Sequence, residues 1–215
     1  MSVDLDQLAH DLLTSMRRVN RRRYVLAIAG GPGSGKSTLA GQLVDRINTA
    51  AGAGFANILA MDGFHLPNAQ LDAAGQRHRK GAPHTYDSSN FVRLVDRLRH
   101  QAADDDPIGV PIYCRDLHEP VADAIRIEPW SGLVIVEGQY VLLEDEPWRL
   151  LYDLFDESWF LDSDTEAALQ RVMQRHMAGG NTEAQARKRI DENDRPNALR
   201  VEPTRQRADR VIAMM

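Results

Sequence analysis

Apolar residues at the start of the chain recur at the spacing of one helix face. Five of them predict an amphipathic N-terminal helix: Leu5, Leu8, Leu12, Met16 and Val19. Similar spacing predicts further helices over residues 39–47, 90–100, 165–177 and 182–193. Asp164 precedes the third of these and can cap it, whereas GGN at residues 179–181 interrupts the pattern before the fourth.

Other runs are short and almost wholly apolar, which is typical of strands buried on both faces of a sheet. They are YVLAIA (24–29), ANILAM (56–61), GLVIVEG (132–138), SWFLD (158–162) and RVIAM (210–214), with VPIY (110–113) and AIRI (124–127) as shorter candidates. Because strands alternate with helices, the pattern predicts an α/β fold whose mostly parallel sheet carries helices on both faces. We expect one domain over residues 1–215, with ligands at the carboxyl ends of the strands.

Composition narrows the class of protein. Hydrophobic residues make up 43% and charged residues 27% of the 215, so a sizeable core is expected. A net charge of −5 argues against broad nucleic-acid binding. Cys114 is the only cysteine, which favours a cytosolic protein, and no apolar run approaches the ~20 residues of a membrane helix. The seven histidines show no metal spacing, and the oligomeric state stays open, a homodimer included.

The strongest local motif is GGPGSGKST at residues 30–38, which fits the phosphate-loop pattern G-x-x-x-x-G-K-[ST]. It follows a predicted strand and opens a predicted helix, as that motif requires. Glycines let backbone amides point at anionic oxygens, while Lys36 can reach the outer phosphates and Ser37 can ligate magnesium. The sequence therefore predicts ATP and Mg²⁺ as ligands. The expected nucleotide-binding residues are Gly30, Gly31, Gly33, Ser34, Gly35, Lys36, Ser37 and Thr38.

A phosphate loop alone leaves three classes of protein open. A GTPase should carry an [NT]-K-x-D segment, which is absent, and the D-x-x-G match DAAG at residues 72–75 is weak evidence. A transporter ATPase should carry an LSGGQ-like signature, which is also absent. A small-molecule kinase needs a base near the acceptor hydroxyl, magnesium, and arginines that cover the transferred group.

The segment LAMDGFHL at residues 59–66 offers such a base. Asp62 follows an apolar strand, although an Asp-Gly pair is also a common turn. Several motifs in order resemble the superfamily of pantothenate kinase, uridine kinase and phosphoribulokinase, above all type I pantothenate kinases, and also kinases associated with fructose transport systems. The matching motifs are DGF (62–64), PN (67–68), KGAP (80–83), YD (86–87), VIVEG (134–138) and EPTRQRA (202–208).

The resemblance implies a phosphate-loop kinase with a role for each motif. Asp62 would take the proton from the acceptor hydroxyl, and Glu137 would hold magnesium, through water. The lid, residues 171–192, would close over the triphosphate and supply Arg175, helped by Arg171. Without the resemblance, Asp62 is explained as a turn residue and Glu137 as a buried carboxylate. Arg171 and Arg175 are then surface charges on a solvated helix.

The same resemblance indicates where the acceptor binds. Tyr113 matches an acceptor-pocket tyrosine, but Arg115 stands where pantothenate kinases carry histidine, and this argues against pantothenate itself. Asp116, His118 and Glu119 make the pocket edge polar, as a polyhydroxyl acceptor would require. Two further substrate-side residues are implied: Asn193 and Asn197. We expect transfer of the γ-phosphoryl of ATP to a sugar hydroxyl, with pantothenate-like or nucleoside acceptors, or a nucleoside triphosphatase or regulatory module, as alternatives.

Overall fold

The computed structural model describes residues 4–19 and 21–214, so residues 1–3, 20 and 215 of the expected domain lie outside it. In this part of the chain seven α-helices are found: α1 Leu5–Val19, α2 Lys36–Ala51, α3 Asn68–Ala73, α4 Ser88–His100, α5 Thr165–Ala178, α6 Glu183–Arg189 and α7 Arg195–Val201. The strands are β1 Tyr24–Ala29, β2 Ala56–Ala60, β3 Ile108–Cys114, β4 Glu119–Ile127, β5 Leu133–Glu137, β6 Glu157–Ser163 and β7 Arg210–Met214.

Five of the strands form one parallel sheet in the order β2-β5-β1-β6-β7. Every residue of β1 and of β5 is buried, which explains why their sequences are apolar without alternation. The predicted α/β fold with a parallel sheet is confirmed. Strand order also brings the carboxyl ends of β2, β5 and β1 together, because Glu137 pairs with Ala60 on one side and Ile28 on the other.

The sheet has a separate hydrophobic core on each face. Successive residues of β1 belong to different cores. Val25 packs in the first core with Phe91 of α4 and with Trp148. Leu26 packs in the second core with Leu12 of α1 and Leu43 of α2. The predicted amphipathic N-terminal helix is therefore confirmed. Leu5, Leu8, Leu12 and Met16 of its apolar stripe pack in the second core, whereas Val19 at the end of the helix is exposed.

The two shorter strand candidates form a unit of their own. β3 and β4 pair antiparallel as a hairpin separate from the main sheet, and both extend beyond the predicted segments. Much of β4 is exposed, so its sequence lacks the apolar run that marks the core strands. The hairpin packs on the short 3-10 helix Met61–Phe64 that follows β2, where a Cβ on Gly63 would come within 2.5 Å of the Pro111 backbone oxygen.

The helices around the lid depart in part from the predicted bounds. Asp164 caps α5 by accepting from the backbone N–H of Ala167 at 2.7 Å, as expected. After the break at residues 179–181, Thr182 forms a capping box at the start of α6. The helical path then continues through a π-helical turn, Ile190–Asp194, into α7, so it ends later than the predicted residue 193. No helix in the described ranges has the length and apolarity to cross a membrane.

Candidate active site

The phosphate loop lies between β1 and α2, and α2 begins at Lys36, earlier than the predicted residue 39. Gly33 has a φ of +74°, and a Cβ at this position would lie 2.3 Å from the backbone oxygen of Ala168 in α5. Only glycine fits both the left-handed backbone and this close approach. The loop is therefore shaped by its contact with α5, the helix that opens the lid.

Lys36 reaches back across the loop. Its Nζ donates to the backbone oxygen of Gly31 at 2.8 Å and to Ser34 Oγ at 3.4 Å. Burial of the ammonium group lowers the pKa of Lys36, and the carboxylates of Glu137 and Asp62 oppose that shift. The lysine thus lies near both carboxylates that the sequence singled out.

Ser37 and Glu137 meet although 100 positions separate them. Ser37 Oγ donates to Glu137 Oε1 at 2.9 Å. Glu137 ends β5 with only 6% of its surface exposed, and burial together with the charge of Asp62 raises the pKa of its carboxyl. Lys36 and the Ser37 hydroxyl act in the opposite direction. A bound cation would favour the ionised form of Glu137, which burial opposes.

This donor set fits magnesium. Mg²⁺ in nucleotide kinases takes one or two protein oxygens, with phosphates and waters completing its shell. A serine hydroxyl and a carboxylate oxygen stand together at the phosphate loop. Within residues 4–19 and 21–214, His, Cys, Asp and Glu form no cluster of three that could hold a metal by itself.

Asp62 occupies the second position of the 3-10 helix directly after β2. Burial and then the charge of Asp62 raise the pKa of Tyr113. The backbone oxygen of Asp62 lies 2.8 Å from His65 Nδ1. Because Nδ1 faces a carbonyl, the neutral His65 ring carries its proton there and leaves Nε2 as an acceptor. Burial lowers the pKa of His65, which favours this neutral form.

The two lid arginines differ in their contacts. Arg171 donates from Nε to the backbone oxygen of Gly33 at 2.8 Å, so it touches the phosphate loop itself. Arg175 is exposed one turn further along α5, and its charge lowers the pKa of Lys36. Both therefore lie at the nucleotide side of the site.

Aromatic rings form the wall beside Asp62. The ring of His65 lies 4.2 Å from that of Tyr86 and 4.7 Å from that of Tyr113, measured between centroids. Arg115 is exposed at the end of the hairpin, and its charge lowers the pKa of Glu137 in opposition to burial. Tyr113 and Arg115 therefore lie on the same side of the site as the two carboxylates.

The side chains of Asn193 and Asn197 are buried and donate to the backbone turn at residues 80 and 81. Asn193 Nδ2 donates to the oxygen of Lys80 at 3.0 Å, and Asn197 Nδ2 donates to that of Gly81 at 3.2 Å. The Gly81 oxygen also accepts from Tyr140 Oη at 2.6 Å and Gln139 Nε2 at 3.1 Å. The lid's end is thereby tied to the loop after α3.

Three residues on this side of the site were given no role of their own by the sequence reasoning, although Lys80 belongs to the KGAP motif: His65, Lys80 and Gln139. Gln139 follows Glu137 by two positions, and its amide oxygen, like that of Asn193, is buried with no hydrogen-bond partner in the described residues. For His65 and Gln139, the available signal was their position directly after the DGF and VEG motifs. Nothing local marks Lys80 as buried, because lysine is usually exposed.

Comparisons with known proteins identify the family of the chain. The model of the Phosphoribulokinase / Uridine kinase family matches residues 25–215. A candidate uridine kinase of Schizosaccharomyces pombe is 35% identical over 202 residues, which cover 91% of this chain and 85% of that protein. YggC, an uncharacterised Escherichia coli K12 protein, is 35% identical over 204 residues, 94% of this chain and 83% of its own.

Solved structures show the same fold. The crystal structure of a candidate fructose transport system kinase from Silicibacter sp. TM1040 superposes with a TM-score of 0.87 at 33% identity, covering 98% of this chain and 100% of that one. The circularly permuted YFH7 of Saccharomyces cerevisiae superposes with a TM-score of 0.84 at 22% identity, covering 99% of each chain.

Proposed function

This chain belongs to the phosphoribulokinase / uridine kinase family, and from that premise we propose that it transfers the γ-phosphoryl group of ATP to a hydroxyl group of a small sugar-like metabolite. The observation that carries the proposal is the meeting of Asp62 after β2, Glu137 at the end of β5, and Lys36 and Ser37 at the start of α2. A base, a phosphate-binding cation and a magnesium-type donor pair are the parts that phosphoryl transfer to an alcohol requires.

The phosphate loop binds the triphosphate in this proposal. Its backbone amides surround the phosphates, and the positive end of α2 adds to their attraction. When ATP binds, Lys36 leaves the Gly31 oxygen and donates to the outer phosphates instead. Ser37 and Glu137 would hold Mg²⁺, and the bound metal would neutralise charge on the triphosphate.

Asp62 orients the acceptor hydroxyl and takes its proton. It follows a buried strand whose position in the sheet is fixed by its pairing with β5, so the carboxylate is held on a rigid element. Arg171 and Arg175 offset the negative charge that develops during transfer, since both extend from α5 toward the phosphate loop.

A sugar-like acceptor suits the polar side chains at the turn of the β3–β4 hairpin. Arg115, Asp116 and His118 are exposed there, and their charged and polar groups can bind sugar hydroxyls. The similarity to the candidate fructose transport system kinase supports the same class. A nucleoside is the second candidate, favoured by the rings of His65, Tyr86 and Tyr113, on which a base can stack, and by the candidate uridine kinase among the relatives.

The test is ADP release by the whole chain with Mg·ATP, measured over sugars, nucleosides and pantothenate. We expect a strong rise with the right acceptor, because a bound hydroxyl replaces water when the lid closes. Lys36→Ala should abolish the rise and weaken ATP binding in calorimetry, since charge-assisted contacts are lost. A constant hydrolysis rate over the entire panel would favour a triphosphatase or a regulatory module instead.

A further inference from the structure

One pair of an imidazole and a carboxylate in the lid is shielded from solvent. Nε2 of His176, in the last turn of α5, lies 2.8 Å from Oδ2 of Asp194, at the end of the π-helical turn Ile190–Asp194. The two side chains are only 12% and 13% exposed, whereas the carboxylates that pair with basic residues of α6 are 66% and 62% exposed. Exposed pairs contribute little, but breaking a shielded pair leaves one partner buried without a counterpart. His176 thus binds the end of α5 to the π-helical turn.

Asp194 depends on this bond. It is 9% exposed, and within residues 4–19 and 21–214 its carboxylate accepts a single hydrogen bond, the one from His176. Nε2 can donate this bond in the charged ring and in the neutral tautomer that carries its proton there. The backbone oxygen of His176 in turn accepts from the N–H and Nδ2 of Asn181, at 3.2 and 3.1 Å. One histidine therefore joins the end of α5, the glycine break at residues 179–181 and the π-helical turn.

One face of α5 is turned toward the phosphate loop. Arg171 donates to the backbone oxygen of Gly33, and the charge of Arg175, one turn further along, lowers the pKa of Lys36. Residues four positions apart lie on the same face of a helix. The direction in which Arg175 extends is therefore set by the rotation of α5 about its own axis.

Another face of α5 packs on the rest of the lid. Val172 is buried there against Ile190 of the π-helical turn. His176 follows Val172 by four positions, so its bond to Asp194 extends the same contact by one turn. Arg175, the preceding residue, lies about 100° around the helix from His176. Because the ends of helices fray unless they are held, this bond fixes the turn that carries Arg175.

We propose that His176 is a positioning residue: by binding Asp194 it holds the last turn of α5 in place and so directs Arg175 at the phosphate loop. This inference rests on the proposed kinase function, in which Arg175 offsets the charge that develops during transfer. The His176 ring is engaged on the face that packs on the π-helical turn, so it acts through Arg175 and not on the nucleotide. Removing the ring should therefore cost no more than Arg175 contributes.

The experiment is a double-mutant cycle in the full chain, with Mg·ATP and the acceptor that raises ADP release most. Its variants are His176→Leu, which removes the donor, Arg175→Met, and the two together. We expect Arg175→Met to lower kcat about a hundredfold, and His176→Leu about tenfold, as the misplacement of a catalytic group does. The double variant should match Arg175→Met, because residues that act as a unit are not additive.

Two further variants separate positioning from a general effect on the lid. His176→Gln keeps a side-chain donor for Asp194 and should retain most of kcat. His100→Leu is the matched control, since His100 also pairs with an aspartate on a helix, but in α4 and with 66% of its side chain exposed. This control should leave kcat unchanged.

Each outcome decides the question. Additive losses in the double variant would show that His176 does not act through Arg175, and equal kcat values in His176→Leu and His100→Leu would show that it has no role. Should His176→Leu not fold, Asp194→Ala breaks the same bond in the same cycle and leaves only a neutral ring without a partner.

The nucleotide itself provides a readout that does not need an acceptor. If no acceptor raises ADP release, the proposed function fails, and the same cycle is measured as the Kd of a non-hydrolysable ATP analogue by calorimetry. A double variant that binds the analogue no more weakly than Arg175→Met supports the positioning role of His176. Additive losses of affinity, or no loss in His176→Leu, overturn it.

Discussion

At the scale of single residues, the site depends on charged side chains that shift one another's pKa. Glu137 is buried, yet it lies beside the Ser37 hydroxyl and near Lys36. Asp62 acts on both Lys36 and Glu137. Such mutual dependence is typical of phosphoryl-transfer sites, because cations bound there stabilise carboxylates that would otherwise favour the neutral form. Each charge can therefore be tested by a substitution that preserves shape.

We expect Asp62→Asn to remove chemistry without removing the fold. Asparagine keeps the size and the turn-forming ability of aspartate but cannot take a proton. The rate constant kcat should fall about a hundredfold to ten-thousandfold, while KM and the melting temperature change little. Steady-state kinetics and a thermal melt check this. Asp72→Asn, at an exposed aspartate paired with Arg77, is the control, and equal kcat values in the two variants would show that Asp62 is only a turn residue.

The raised pKa of Glu137 predicts a dependence on pH and magnesium. As pH falls through that pKa, which lies above the ordinary 4.5, the carboxylate gains a proton and loses affinity for Mg²⁺. We expect kcat/KM to fall on the acid side, with a midpoint above 4.5. Higher Mg²⁺ should move the midpoint to lower pH, since metal and proton compete for one group. Profiles at two Mg²⁺ concentrations with the same midpoint would contradict the assignment.

At the scale of elements, the acceptor side is assembled by contacts between loops. The β3–β4 hairpin packs on the 3-10 helix that carries Asp62, and that contact leaves no room for a side chain at Gly63. The Gly81 oxygen accepts from three side chains that follow β5 or lie in α7. The hairpin therefore contacts the helix that carries Asp62 through packed backbone, whereas the lid's end is held by the side-chain amides of Asn193 and Asn197.

Gly63→Ala tests the hairpin contact. The new methyl group would lie 2.5 Å from the Pro111 oxygen, so one of the two elements must move. We expect a loss of about 1–3 kcal/mol in the free energy of unfolding and a higher KM for the acceptor. Gly41→Ala in α2, where no atom lies within 4 Å of the added methyl, is the control and should gain about 0.5–1 kcal/mol. Urea unfolding measures both, and similar values for the two variants would refute the contact.

At the scale of the whole molecule, the lid is attached at both ends. Arg171 near its start bonds to the phosphate loop, and Asn193 beyond its end bonds to the oxygen of Lys80. His176 and Asp194 also pair across it at 2.8 Å. Between the attachments lies the exposed glycine break at residues 179–181, with Gly180 at a φ of +93°. Motion of the lid should therefore concentrate at this break.

Amide hydrogen exchange can detect that motion. Exchange at residues 179–181 should slow when a non-hydrolysable ATP analogue, Mg²⁺ and an acceptor are added together, because closure orders the break. The nucleotide analogue alone should slow it less. The loop at residues 102–106, which joins α4 to β3, is the internal control and should not change. Equal exchange at the break in all three conditions would show that no closure follows acceptor binding.

The sequence by itself determined the parts that depend on neighbouring residues. The glycine loop, the apolar core strands, the Asp164 cap and the position of Asp62 after β2 all follow from local patterns, since backbone conformation and burial on both faces leave a signature within a few positions. The parallel sheet followed as well, because strands alternating with helices have few other solutions.

Tertiary structure alone decided which distant residues meet. Ser37 contacts Glu137 across 100 positions, the β3–β4 hairpin stands apart from the main sheet, and the Asn193 and Asn197 amides turn to the backbone of Lys80 and Gly81. The burial of Lys80 belongs to the same group. Each of these features depends on how loops from separate elements pack. That packing is fixed by long-range contacts, which produce no periodic pattern in the sequence. The fold and the phosphate site were therefore open to sequence reasoning, while the acceptor side was not.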